Sequence, residues 1–140
     1  MALNVSRVDV WVSTLKDCPG SLAAKLQPLA DAGANLSFVI ARRSPEKPGK
    51  GVVFLTALKG AKQLAAARKA KFRKTKSLHS VKVEGPDKRG LGAAMTGALA
   101  EAGINLRGVS AASIGKRCIV YLAFDKAAEA TKAVRLLKKL

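Results

Sequence analysis

Asp17-Cys18-Pro19-Gly20-Ser21-Leu22 opens a segment that closes with Ala32-Gly33-Ala34-Asn35-Leu36, and the same plan returns 70 positions later. There Asp87-Lys88-Arg89-Gly90-Leu91 leads to Ala102-Gly103-Ile104-Asn105-Leu106. Ten of the 20 positions from Asp17 to Leu36 are identical to their counterparts, too many for composition alone, so the chain carries an internal duplication. The repeat fills the 140 residues twice, which sets the expected boundaries at 1–74 and 75–140. Halves this small have little core each, so they are expected to pack on each other.

Each copy reads strand, helix, strand, strand, helix. In the first, Val8, Val10 and Val12 alternate with Asp9, Trp11 and Ser13, a period of two that predicts one strand over 7–15, after a frayed lead-in from Met1 to Arg7. Asp17 or Cys18 is placed to cap the following helix, with Pro19 in its first turn. Leu22, Leu26, Leu29 and Gly33 share one helical face, Pro28 should kink the helix, and Gly33 ends it in a left-handed turn. Strands are expected over 36–43 and 52–55, and a helix over 61–71. In the second copy Val81 and Val83 mark the first strand, and Leu91, Met95, Leu99 and Ala102 the inner face of a helix capped by Gly103. Strands over 107–113 and 117–124 follow. A last helix from about Lys126 buries Ala127, Ala130, Val134, Leu137 and Leu140. This is an α+β plan of two ferredoxin-like βαββαβ repeats, antiparallel sheets with helices on one face. It lacks one piece, because the pattern shows no fourth strand for either repeat.

Composition narrows the function. Hydrophobic residues make up 49% of the chain, which excludes a disordered one. No apolar run approaches the ~18 residues of a membrane span, and the start lacks the pattern of a secretory leader. Cys18 and Cys118, one per half with no CxxC, read as reduced thiols of a cytoplasmic protein. A single His and two scattered Cys cannot furnish a zinc site, and no cofactor motif is present. The acids are few, and His79 stands without an evident partner as the one base for a Cys nucleophile. The pattern is not that of an enzyme.

Asp-x-x-Gly at a helix start, present in both copies, carries the chemistry. Unpaired amides there favour an anion, glycine admits close approach, and a neighbouring aspartate accepts from an ammonium group. Together these suit a free amino acid. The same four residues also serve as an ordinary helix cap, in which Asp caps and Gly relieves the turn.

Strand, D-x-P-G-x-L, apolar helix and A-G-x-N-[LI] together resemble the ACT domain, a small amino-acid-sensing module. The match lies on Asp17, Pro19, Gly20, Leu22, Ala32, Gly33, Asn35 and Leu36, and again on Asp87, Gly90, Leu91, Ala102, Gly103, Asn105 and Leu106. The resemblance implies βαββαβ units and ligands held by the first loop and the start of the first helix. It makes Asp17, Cys18, Pro19, Gly20 and Asn35 the first candidate site, and Asp87, Gly90 and Asn105 the second. The second copy departs at Arg89, where the family favours Pro. A tandem pair without a further domain is similar to the glycine cleavage repressor-like group, which acts through partners. A homodimer or a protein partner is therefore implied.

The charge admits one other reading. Lys and Arg total 26 against 9 acids, a net +17, and such a field attracts polyanions. Eight of the basic residues lie within Lys59 to Lys76, where Lys69, Lys71, Arg73, Lys74 and Lys76 form a candidate nucleic-acid stripe. The same residues also make an ordinary solvated helix and linker. Tyr121 and Phe124 do not make a base-stacking pair, because their strand parity differs.

Overall fold

The computed structural model of the chain describes residues 3–140. In chain order the elements are β1 (Asn4–Val8), β2 (Trp11–Lys16), α1 (Ser21–Asp31), β3 (Phe38–Arg43), β4 (Lys50–Thr56), α2 (Gly60–Lys69), β5 (Arg73–Lys74), β6 (His79–Pro86), α3 (Leu91–Glu101), β7 (Gly108–Ile114), β8 (Arg117–Phe124) and α4 (Ala127–Leu137). They form two antiparallel four-stranded sheets, ordered β3-β4-β2-β5 and β1-β6-β8-β7. This is the expected α+β architecture of two ferredoxin-like repeats.

The fourth strands come from places the hydrophobic pattern does not mark. In the first repeat the two residues of β5 pair with Trp11 and Val12 of β2. In the second repeat the missing strand is β1, which pairs along β6 from Asn4↔Glu84 to Val8↔Ser80. The alternating valines are therefore not one strand. Val8 ends β1, Val10 lies buried in the break, and Val12 faces away from the core that Trp11 lines. Hydrogen bonds hold the break: Thr56 Oγ1 donates to the Asp9 carbonyl at 2.7 Å, and the Thr75 amide to the Val10 carbonyl at 3.0 Å. Asn4–Val8 is also no frayed lead-in, although Met1 and Ala2 lie outside the described residues. The compact units accordingly differ from a cut at 74/75. One is Asp9–Thr75, and the other joins the residues up to Val8 to Lys76–Leu140.

Each sheet buries one face under its two helices. Trp11, Val53, Leu55 and Phe72 meet Leu29 of α1 and Ala67 of α2, with Leu22, Leu26 and Leu64 packed around them. In the other unit Val5, Val81, Val83, Val120, Leu122 and Phe124 meet Met95 and Leu99 of α3 and Ala130, Ala133 and Leu137 of α4. The helical faces fall where the 3.6-residue period puts them. Ala127 and Leu140 are the exceptions in the last helix: Ala127, its first residue, is exposed, Leu140 lies exposed beyond its end, and Ala133 is buried with Ala130 and Leu137 instead. Pro28 lies inside α1, which continues through it to Asp31. Gly33 and Gly103 have φ of +84° and +73°, and the amides of Ala34 and Ile104 reach back to Leu29 and Leu99, closing both helices as expected.

Candidate functional site

β2 ends at Lys16, and the chain turns through Asp17-Cys18-Pro19-Gly20 into α1. The Asp17 amide donates to the Gly49 carbonyl at 3.0 Å, which anchors the loop to the β3–β4 hairpin. Gly20 occupies the capping position with φ +86°, a left-handed backbone that favours glycine, and a Cβ there would meet nothing within 4 Å. Pro19 thus precedes the helix instead of entering its first turn.

Neither Asp17 nor Cys18 caps α1. Asp17 instead points its carboxylate at β3, where Arg43 Nε donates to Oδ2 at 2.8 Å. Cys18 Sγ lies 3.0 Å from Ser21 Oγ. The first turn of α1 is left without a side-chain acceptor, so the amides of Leu22 and Ala23 face no capping oxygen. An exposed carboxylate, a guanidinium and an uncapped helix N-terminus therefore stand together. Sequence reasoning missed Arg43. Only the register, which sets Arg43 opposite Gly51 next to the hairpin turn, brings it to the loop.

The second loop repeats the backbone but not the charges. The Asp87 amide donates to the Lys116 carbonyl at 2.8 Å, Gly90 has φ +80°, and α3 also lacks a side-chain cap. The position equivalent to Arg43 is Ser113, which pairs with Cys118 as Arg43 pairs with Gly51. Among the described residues Asp87 takes part in no ion pair.

Asn35 and Asn105 lie elsewhere. Each follows the C-terminal end of its helix, and an 11-residue helix is ~16 Å long. The structure does not bring Asn35 to Asp17 or Asn105 to Asp87. The five basic candidates also divide. Lys69 ends α2 and Lys71 follows it with φ +67°, Arg73 and Lys74 alternate along β5, and Lys76 belongs to the other unit. Lys74 Nζ lies 3.2 Å from Asp9 Oδ2. Among the described residues there is no cluster of three or more His, Cys, Asp or Glu to hold a metal, and no helix is long and apolar enough to cross a membrane.

No protein-family model matches the chain, and no curated protein matches it. Solved structures do. A protein of Bacteroides thetaiotaomicron is similar at 16% identity and a TM-score of 0.78, over 97% of this chain and 99% of that one. The ligand-free regulatory subunit of aspartate kinase from Thermus thermophilus is similar at 19% identity and a TM-score of 0.64, over 99% and 96%. Aspartokinase III of E. coli, in complex with aspartate and ADP, is similar at 17% identity and a TM-score of 0.58, over 98% of this chain and 32% of that one. At these identities the likeness is one of fold. That fold is the pair of ferredoxin-like repeats with antiparallel sheets described above.

Proposed function

We propose that the chain is a regulatory protein, not an enzyme, that binds a free amino acid at the Asp17–Gly20 loop of its first repeat and acts through a protein partner. The Asp17–Arg43 pair at the open end of α1 carries this reading. Arg43 and the amides of Leu22 and Ala23 would take the ligand carboxylate, and Asp17 the ammonium group. Gly20 leaves the approach clear. The fold likeness to regulatory parts of aspartate kinases supports a role exerted on another chain, whether a separate enzyme or a second copy. The glycine cleavage repressor-like group remains part of this proposal, since its chains also act through partners. Two free thiols are in keeping with a reducing cytoplasm.

A thermal-shift panel of the twenty amino acids, followed by calorimetry on wild type and Asp17→Asn, tests it. We expect one or a few amino acids to bind, and Asp17→Asn to weaken them about tenfold or more, because a hydrogen bond to a charged group is worth ~1.5–3 kcal/mol. Equal affinities would remove Asp17 from the site.

A further inference from the structure

The first repeat contains a cleft of about 470 Å³ lined by Lys16, Lys25, Lys50, Lys69 and Lys71 and by no acid. Its remaining walls come from Thr14 and Leu15 of β2, Ser21, Ala24 and Pro28 of α1, and Ala70. It takes in none of Asp17, Cys18, Pro19, Gly20 or Arg43. Among the described residues none of the five lysines is in an ion pair.

The topology explains the opening. β5 pairs only with Trp11 and Val12, so on that side of the sheet β2 has no strand partner from Ser13 to Lys16. In the second repeat β1 runs on to Asn4↔Glu84, and Val5 is buried there. Two core positions change with it. Val83 and Met95 are apolar and buried in the second repeat, at 0% and 2% exposure. Seventy residues earlier stand Ser13 and Lys25. Lys25 Nζ donates to Ser13 Oγ at 2.7 Å and to the Ala70 carbonyl at 2.7 Å, and sits 5.6 Å from the centre of the Phe72 ring. An ammonium has three protons, so one remains for an occupant of the cleft.

We propose that this cleft binds a small anion bearing two or more phosphate or carboxylate groups. A half-buried lysine costs stability by desolvation, and four more lysines around the same cleft add repulsion. Burial and the charge of Lys71 both lower the Lys25 pKa, as this crowding requires. A polyanion offsets both costs. The volume falls in the ~300–1,000 Å³ range of small-molecule sites, and the partly sunken position of Lys25 suits a compact ligand over a polymer lying on the surface. The site does not depend on the amino-acid reading, since it shares no side chain with the Asp17–Arg43 pair.

Calorimetric titration of the full chain with inorganic tripolyphosphate, and in parallel with citrate, separates the phosphate from the carboxylate class. We expect saturable one-to-one binding of at least one of them, weakening with added salt. The variant Ser13→Val/Lys25→Met installs the apolar pair of the second repeat and should keep the fold while losing about tenfold or more in affinity. Lys16→Ala/Lys50→Ala, outside the core, should lose a similar factor and serves if the first variant fails to fold. No saturable binding of either anion, multiple weak equivalents, or affinities unchanged in the variants would overturn the proposal. So would a DNA duplex that outcompetes both anions and binds Lys25→Met as well as wild type.

Discussion

The two repeats share a fold and differ in what they do with it. At the loop both hold Asp and a left-handed Gly before an uncapped helix, but only the first places an arginine on the aspartate. Beneath the helix the second closes its core with Val83 and Met95, where the first has Ser13 and Lys25 hydrogen-bonded to each other. The source of the fourth strand lies behind the second difference. A full-length β1 covers β6, while a two-residue β5 leaves part of β2 open. A duplicated fold can thus keep one copy apolar and complete and let the other carry polar groups.

The sharpest break of this comparison is to move the lysine. Met95→Lys puts an ammonium into a closed core with no acceptor in place, and should cost on the order of 3–5 kcal/mol by chemical denaturation. The reverse change, Lys25→Met, should cost no more than ~1 kcal/mol, because it removes a charge from a half-buried place and Ser13 Oγ keeps its bond to the Lys71 carbonyl at 3.0 Å.

Next comes the ion pair. Arg43→Ser gives the first loop the residue of the second and should weaken an amino-acid ligand about tenfold, while stability falls by no more than ~1 kcal/mol because the pair is exposed. Thermal melts and calorimetry on the same sample check both halves of that statement. Gly20→Ala and Gly90→Ala should each cost ~1–2 kcal/mol of backbone strain and by similar amounts, since both glycines have φ near +80° and open space around them. Unequal losses there would show that the loops differ in more than charge.

The smallest effect is in pH. Burial first, then Lys71, holds the Lys25 pKa below 10.5. Between that lowered value and 10.5 the unfolded chain binds more protons than the folded one, so stability rises with pH through this alkaline window. Wild type should therefore gain on Lys25→Met in melting temperature as pH is raised toward 10.5. A constant difference would mean that Lys25 carries no burial penalty.

Much of this architecture is legible in the chain. The echo of Asp17–Leu36 in Asp87–Leu106 shows the repeat, and the helical faces of Leu22, Leu26 and Leu29 and of Met95 and Leu99 follow from periodicity. The strands at the ends were hidden for a physical reason. Val8, Val10 and Val12 alternate as one strand would, and only pairing with different sheets divides them. β5 is Arg73-Lys74, which no apolar pattern reveals. Asp17 reads as a cap because capping depends on local spacing, whereas its partner Arg43 is brought by strand register from 26 residues away. Asn35 shares the motif with Gly20, but the length of α1 separates them.

An NMR titration of the isotope-labelled chain with the amino acid found by the panel tests the asymmetry of the loops most directly. The account predicts shifted amides from Cys18 to Ala23 and at Arg43, with Lys88 to Ala93 and Ser113 unmoved. Shifts in the second loop equal to those in the first, or no shift with any of the twenty amino acids, would contradict it.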